Sequence, residues 1–270
     1  MTSARHPAVT VGAGAGVGVL GGLIGLGGAE FRLPLLLGLF RFPALEAVML
    51  NKACSLVVVA VALPARLPGV PFRSLADRWD IIAILLSGSL VGAWFGAGWA
   101  VRLRGAVLTR VIAVLLAILA VSLLLGHDVH GSGHAALAGA PLVAVGVVAG
   151  FAIGVVAALM GVAGGELLIP TCVLLFGVDL KLAGSLSMAV SLPTMLMGFA
   201  RYSRDPSFVV IGRERRFLGL LCLGSLIGVV TGGLLLGLVP TTWLLGGLSV
   251  ILAVSAIKTW NHAHPTKGAS

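Results

Sequence analysis

Four charged side chains stand where the sequence is otherwise apolar. Glu30 and Arg32 fall in GLIGLGGAEFRLP, between a glycine cluster and Pro34, and Glu166 falls in ALMGVAGGELLIP. Lys52 lies about a third of the way along ALEAVMLNKACSLVVVAVALPAR, with Asn51 before it and Ser55 one helical turn beyond Asn51. A carboxyl group that gains and loses a proton can couple the movement of a substrate to that proton. The competing role for Glu30 and Glu166 is to cap the helix that follows them. A lysine in an apolar span is costly unless it snorkels, finds a counter-ion or faces water. An ion pair with Glu30 or Glu46 would meet that need. So would a pocket in which Lys52 and Asn51 hold an anion, with hydroxyl donors from Ser55, Ser187 and Ser191 and with Arg32 as a gate or a second cation.

The elements that position these groups follow from composition. The chain has 270 residues, 59% hydrophobic and 10% charged, with a mean hydropathy of +1.12. A water-soluble domain cannot hide so much apolar surface, so the bilayer is the solvent. Apolar runs of about 20 residues, each long enough to cross the hydrocarbon core, recur along the chain. The net charge of +9 then reads as basic loops against anionic lipid. Nucleic acid is not an expected partner, because no nucleic-acid motif or aromatic stacking platform accompanies the charge. Cys54, Cys172 and Cys222 sit at unrelated spacings in apolar segments, which gives neither a disulfide framework nor a metal ligand set. The apolar stretch after the N-terminal MTSARHPAVT is too long for a signal peptide and reads as the first span.

The chain matches itself. A shift of 136 residues superposes GLIGLGGAEFRLP on ALMGVAGGELLIP with five identities in thirteen, among them Gly25/Gly161, Gly28/Gly164, Glu30/Glu166 and Pro34/Pro170. The same shift superposes LLSGSLVGAWFGA on LCLGSLIGVVTGG with six in thirteen. Leucine and glycine match by chance in such sequences, but a Glu and a Pro in one register do not. The expected organisation is two tandem transmembrane repeats, residues 1–130 and 131–270, joined through the polar GHDVHGSGHAALAGAP. Each repeat reads as about four transmembrane helices, near 8–28, 44–65, 79–101 and 106–126, then 137–163, 180–200, 216–238 and 241–259.

The first helix of each repeat should be broken. Gly25, Gly27 and Gly28 weaken the helix, as do Gly161, Gly164 and Gly165, while Pro34 and Pro170 suit the first turn of a new one. Broken helices at corresponding places in two repeats point to a transporter binding site. A half-helix directs unpaired N–H groups and its positive dipole end towards the break, where an anion is favoured. Gly88, Gly92 and Gly96 instead share one face at a spacing of four, the pattern of close helix packing. The basic loops holding Arg66, Arg73 and Arg78 and holding Arg201, Arg204, Arg213, Arg215 and Arg216 both read as cytoplasmic. That implies repeats of the same sense. Arg102, Arg104 and Arg110 point the other way, and complete crossing by the half-helices would give five passes per repeat and inverted repeats.

The paired glycine-rich break, the proline after it, and AGSLSMAVSLPTMLMGFARY (residues 183–202) resemble the TauE/SafE sulfite exporter family, the four-TMS-duplicated membrane anion permeases. The resemblance covers nearly the whole chain. It implies a multi-pass permease of the bacterial inner membrane, exporting small sulfur-containing or organic anions with the help of the proton gradient. Its expected partners are a small anionic substrate and the lipid bilayer, with a homodimer as a possible assembly and no cofactor.

Other classes fit less well. A hydrolase built on Ser89 or Ser225 needs a base in reach, yet His6, His127, His130, His134, His262 and His264 all lie in the termini or the central linker. His127, Asp128, His130 and His134 have the look of a metal cluster, but a solvated Gly/His loop gives the same residues. A proton-coupled carrier of metal cations that uses Glu30 and Glu166 is the nearer alternative.

Overall fold

A computed structural model describes residues 6–24, 28–66, 76–125, 137–235 and 241–263. The helices in chain order are α1 (Pro7–Ile24), α2 (Ala29–Gly38), α3 (Ala44–Arg66), α4 (Trp79–Ala100), α5 (Gly105–Leu125), α6 (Ala140–Met160), α7 (Gly165–Phe176), α8 (Leu180–Tyr202), α9 (Val209–Arg213), α10 (Arg215–Leu235) and α11 (Thr241–Ala263), with a 3-10 turn at Pro206–Phe208. The described residues contain no strand. Among the described residues five helices, α3, α4, α6, α8 and α10, are long and apolar enough to cross a membrane, and shorter apolar stretches occupy α1, α5, α7 and α11. Val148, Val230, Leu234 and Ile257 are among large apolar side chains left mostly exposed on the outer faces, where lipid is the natural partner.

Small residues set how closely the helices approach. A Cβ at Gly88, Gly92 or Gly96 of α4 would meet the backbone of Val147, Phe151 or Val155 of α6. Gly224, Gly228 and Gly232 of α10 meet Val11, Ala15 and Val19 of α1 in the same way. These glycines are packing residues, as their spacing suggests. Both lists rise together along the two partners, so α4 runs parallel to α6 and α1 runs parallel to α10.

Other contacts give the remaining directions. Ser89 of α4 meets Thr194 of α8, and Trp94 meets Arg201 and Arg204, so α8 is also parallel to α4. Helices α6 and α8 therefore point the same way, and α7 between them carries the chain back. The contacts of α7 agree, because Gly164 lies against Ile153 and Ala157 while Phe176 lies against Gly146. Helices α6 and α7 thus form a hairpin whose tip is residues 161–164. In the first half, Phe40 just past α2 stacks edge-on with Phe217 near the start of α10, at 4.8 Å. Since α1 is parallel to α10, α2 also runs back along α1. A single bent pass is thus replaced by two antiparallel legs. Glycine at the tip allows the reversal, because Gly161 and Gly164 have φ of 68° and 81°, a region that side chains disfavour.

These directions separate two basic loops that the sequence placed together. Arg78 lies at the start of α4, whereas Arg201 and Arg204 cover Trp94 near its end. Arg102 and Arg104, just past the end of α4, share the face with Arg201 and Arg204, as do Arg213, Arg215 and Arg216. The linker residues 126–136, which contain His127, Asp128, His130 and His134, lie outside the described residues, as does Arg73.

Candidate functional site

Helix α3 carries polar side chains between the two breaks. Asn51 is fully buried, and its amide nitrogen donates to the carbonyl of Ala29 at 3.0 Å and to that of Met160 at 3.1 Å. The first acceptor opens α2 and the second closes α6, so one side chain joins the two breaks. Residues 109 apart in sequence meet at this bond. Arg32, 1% exposed, reaches across from α2 and donates from Nη1 to Asn51 Oδ1 at 3.3 Å and to Ser55 Oγ at 3.1 Å.

Lys52 does not reach the protein surface. It is fully buried, and Nζ donates to the Ala157 carbonyl at 2.9 Å and the Val162 carbonyl at 3.4 Å. Ala157 O sits in the last turn of α6, where the dipole is negative, and also accepts the Val162 backbone N–H at 3.1 Å, while Val162 O belongs to the tip just beyond the helix. Tyr202 donates its hydroxyl to Ala158 O at 2.9 Å. Asn51, Lys52 and Tyr202 together satisfy most of this helix end. The tip itself presses on α3, because a Cβ at Gly161 would meet the Val48 carbonyl and lie 3.2 Å from the Lys52 amide nitrogen. Among the described residues no carboxylate pairs with Lys52. Glu46 pairs instead with Arg213 at 2.7 Å.

The two glutamates differ. Glu30 is 2% exposed, and neither carboxylate oxygen has a hydrogen-bond partner among the described residues. Glu166 is only partly buried, with Oε1 alone buried and unpartnered there. Gly28, Gly164 and Gly165 are buried at the starts of α2 and α7, with Gly28 at φ 72° against the Val17 carbonyl. Gly25 and Gly27 lie outside the described residues. On α8, Ser187 donates back to Gly184 O at 2.9 Å. Ser191 is 2% exposed and has no partner among the described residues.

The structure brings Arg32 of α2 to Asn51 and Ser55 of α3, with Glu30 two residues before Arg32, and brings Lys52 and Gly161 together at the second tip. Ser187 and Ser191 are buried on α8, and farther along that helix Leu192 and Met195 pack with Leu56 and Val59 of α3 around Ala163. Sequence reasoning missed Tyr202. Its signal was available, since it is the only tyrosine of the chain and ends an apolar helix. Ser89 and Ser225 are packing hydroxyls. Ser89 bonds Thr194 at 2.7 Å, and Ser225 accepts from the Cys54 thiol at 3.9 Å.

The family model described as Sulfite exporter TauE/SafE matches residues 9–259. The chain belongs to that family. Its members are transporters, and the chain is a multi-pass transmembrane protein of that transport class. No curated protein and no solved structure matches it significantly.

Proposed function

We propose that the chain is an exporter of small sulfur-containing or organic anions in the bacterial inner membrane, with its site where the two breaks meet. The observation that carries this reading is the burial of Arg32 and Lys52 beside Asn51, which bridges Ala29 and Met160. A guanidinium keeps its charge in any protein setting. With Glu30 as the one fully buried carboxylate beside it, the pocket favours an anion and repels a metal cation. That weighs against the metal-carrier reading.

On this reading the chain is a duplicated unit, residues 1–130 and 131–270, with the two copies of opposite sense. The antiparallel pairs α1–α2 and α6–α7 bring one glycine tip from each copy to the centre. The arginine-rich end, with Arg102, Arg104, Arg201 and Arg204, faces the cytoplasm. Gly28, Gly161, Gly164 and Gly165 shape the tips. Asn51, Ser55, Ser187 and Ser191 offer polar contacts, and Arg32 and Lys52 supply charge. Protonation of Glu30 removes the negative charge facing Arg32, so proton and anion bind cooperatively and cross together. Glu166 serves the second tip in the same way. A dianion carried out with one proton moves one net negative charge, so the inside-negative potential drives export by about 2.3 kcal/mol per 100 mV, while a pH gradient acid outside opposes the outward proton.

The deciding experiment is flux of a panel of anions in proteoliposomes with an imposed pH gradient. Saturable, proton-linked flux of a small oxyanion or organic anion is expected. Flux of a divalent metal in place of every anion would sink the reading.

A further inference from the structure

Broken-helix transporters place small cations at the carbonyl-rich ends of their half-helices. The end of α6 has that character. Ala157 O and Val162 O converge on one point, the negative end of the helix dipole faces it, and the site is fully enclosed. The occupant is the Lys52 ammonium. Two of its three N–H groups are bonded to those carbonyls, and no carboxylate accompanies it among the described residues. Gly198 of α8 lies beside it, where an added Cβ would make ordinary contact at 3.5 Å from Nζ. The repeat partner of Lys52 is Met188, so the duplication does not require a charge at this depth.

We propose that Lys52 is a tethered cation that occupies an alkali-cation site at the end of α6, so that the anion site works without a mobile Na+ or K+. The ammonium holds the tip of the α6–α7 hairpin to α3. It also lends its charge to the anion pocket, while Asn51 on the same helix turn touches both tips. Lys52 is on this view a positioning residue whose charge acts through the tip carbonyls. The inference rests on the anion-transport reading only for its flux readout, since cation binding is also measurable as stability.

The test uses Lys52→Ala in the full-length protein. This variant keeps Cβ and removes a fragment equal in shape to n-propylammonium. The ions compared at equal ionic strength are Na+, n-propylammonium and tetramethylammonium, which has no N–H donor. In Lys52→Ala, Na+ or n-propylammonium should raise the midpoint of thermal unfolding by about 2–4 °C per tenfold excess over its dissociation constant, and tetramethylammonium should not. Anion flux should fall and then recover by about tenfold with the same ions, equivalent to a restored binding term. The wild type should show neither response. In Lys52→Met a neutral side chain fills the site, so neither Na+ nor n-propylammonium should rescue it.

A Lys52→Ala protein that is folded yet indifferent to every cation would overturn the proposal. So would a wild type whose flux or unfolding midpoint depends on Na+, a result that needs no variant to fold. If Lys52→Ala folds only when purified in Na+ or n-propylammonium, the proposal stands. Failure to fold in all three ions would overturn it. Stability responses as predicted, with no anion transported by the wild type, would keep the cation site and remove the anion reading.

Discussion

The first glycine tip and the second are copies in sequence but differ in what they hold. At the first, α2 supplies Arg32, which donates to Asn51 and Ser55 of α3. At the second, the positions related by the repeat shift are Leu168, Ser187 and Ser191. Leu168 is buried at 1% exposure, Ser187 turns back on its own helix, and Ser191 has no partner among the described residues. One substitution, Arg for Leu, thus separates a bonded cluster from an apolar one. Lys52, against Met188, adds to the same imbalance. On the proposed reading the site has one charged wall and one wall of small hydroxyls.

Changes at the charged wall should have the largest effects. Arg32→Leu makes the first tip resemble the second. It leaves Asn51 Oδ1 and the Ser55 hydroxyl short of a charged donor, and each such bond is worth about 1.5–3 kcal/mol. Anion affinity should fall by roughly 100-fold, and an unchanged dissociation constant in the purified variant would show that the imbalance has no functional meaning. Glu30→Gln comes next. It should make anion flux independent of pH while the protein still inserts and folds, whereas Glu166→Gln, at a partly buried site, should shift the pH profile less. Equal effects of the two changes on a flux–pH profile would restore the symmetry denied above.

The smaller effects test packing. Tyr202→Phe removes the hydroxyl from Ala158 O and should cost about 1 kcal/mol, which thermal unfolding reads as a drop of about 2–4 °C. Ser55→Ala should cost more, about 1.5–3 kcal/mol, because it removes the acceptor of a buried guanidinium. Ser191→Ala should leave stability within about 0.5 kcal/mol, since it deletes a hydroxyl with no partner among the described residues. If Ser191→Ala nevertheless weakens anion binding, its hydroxyl is a ligand on the second wall.

Much of the site was legible from residue types. A Glu, an Arg and a Lys in apolar sequence are expensive, so their presence announces a polar interior before any contact is known. The glycines divided correctly into two kinds. Those spaced by four on α4 meet α6, while Gly161 and Gly164 take positive φ. The direction of α2 and α7 was not legible. A half-helix after a glycine break continues or reverses according to φ at one or two residues, and the flanking sequence is equally apolar either way. Misreading that turn put Arg78 and Arg201 on one face, where the structure sets them at opposite ends of α4.

By itself the sequence determined the solvent and the helical class, because hydropathy and span length are local properties of the chain. It also singled out Asn51 and Lys52 as residues needing partners. Only the tertiary structure decided what those partners are. Lys52 had carboxylates within reach in sequence, and it binds carbonyls more than a hundred residues away. The reason is geometric: a helix end offers unpaired oxygens wherever packing brings it, and no local pattern records which distant helix will end beside a given side chain.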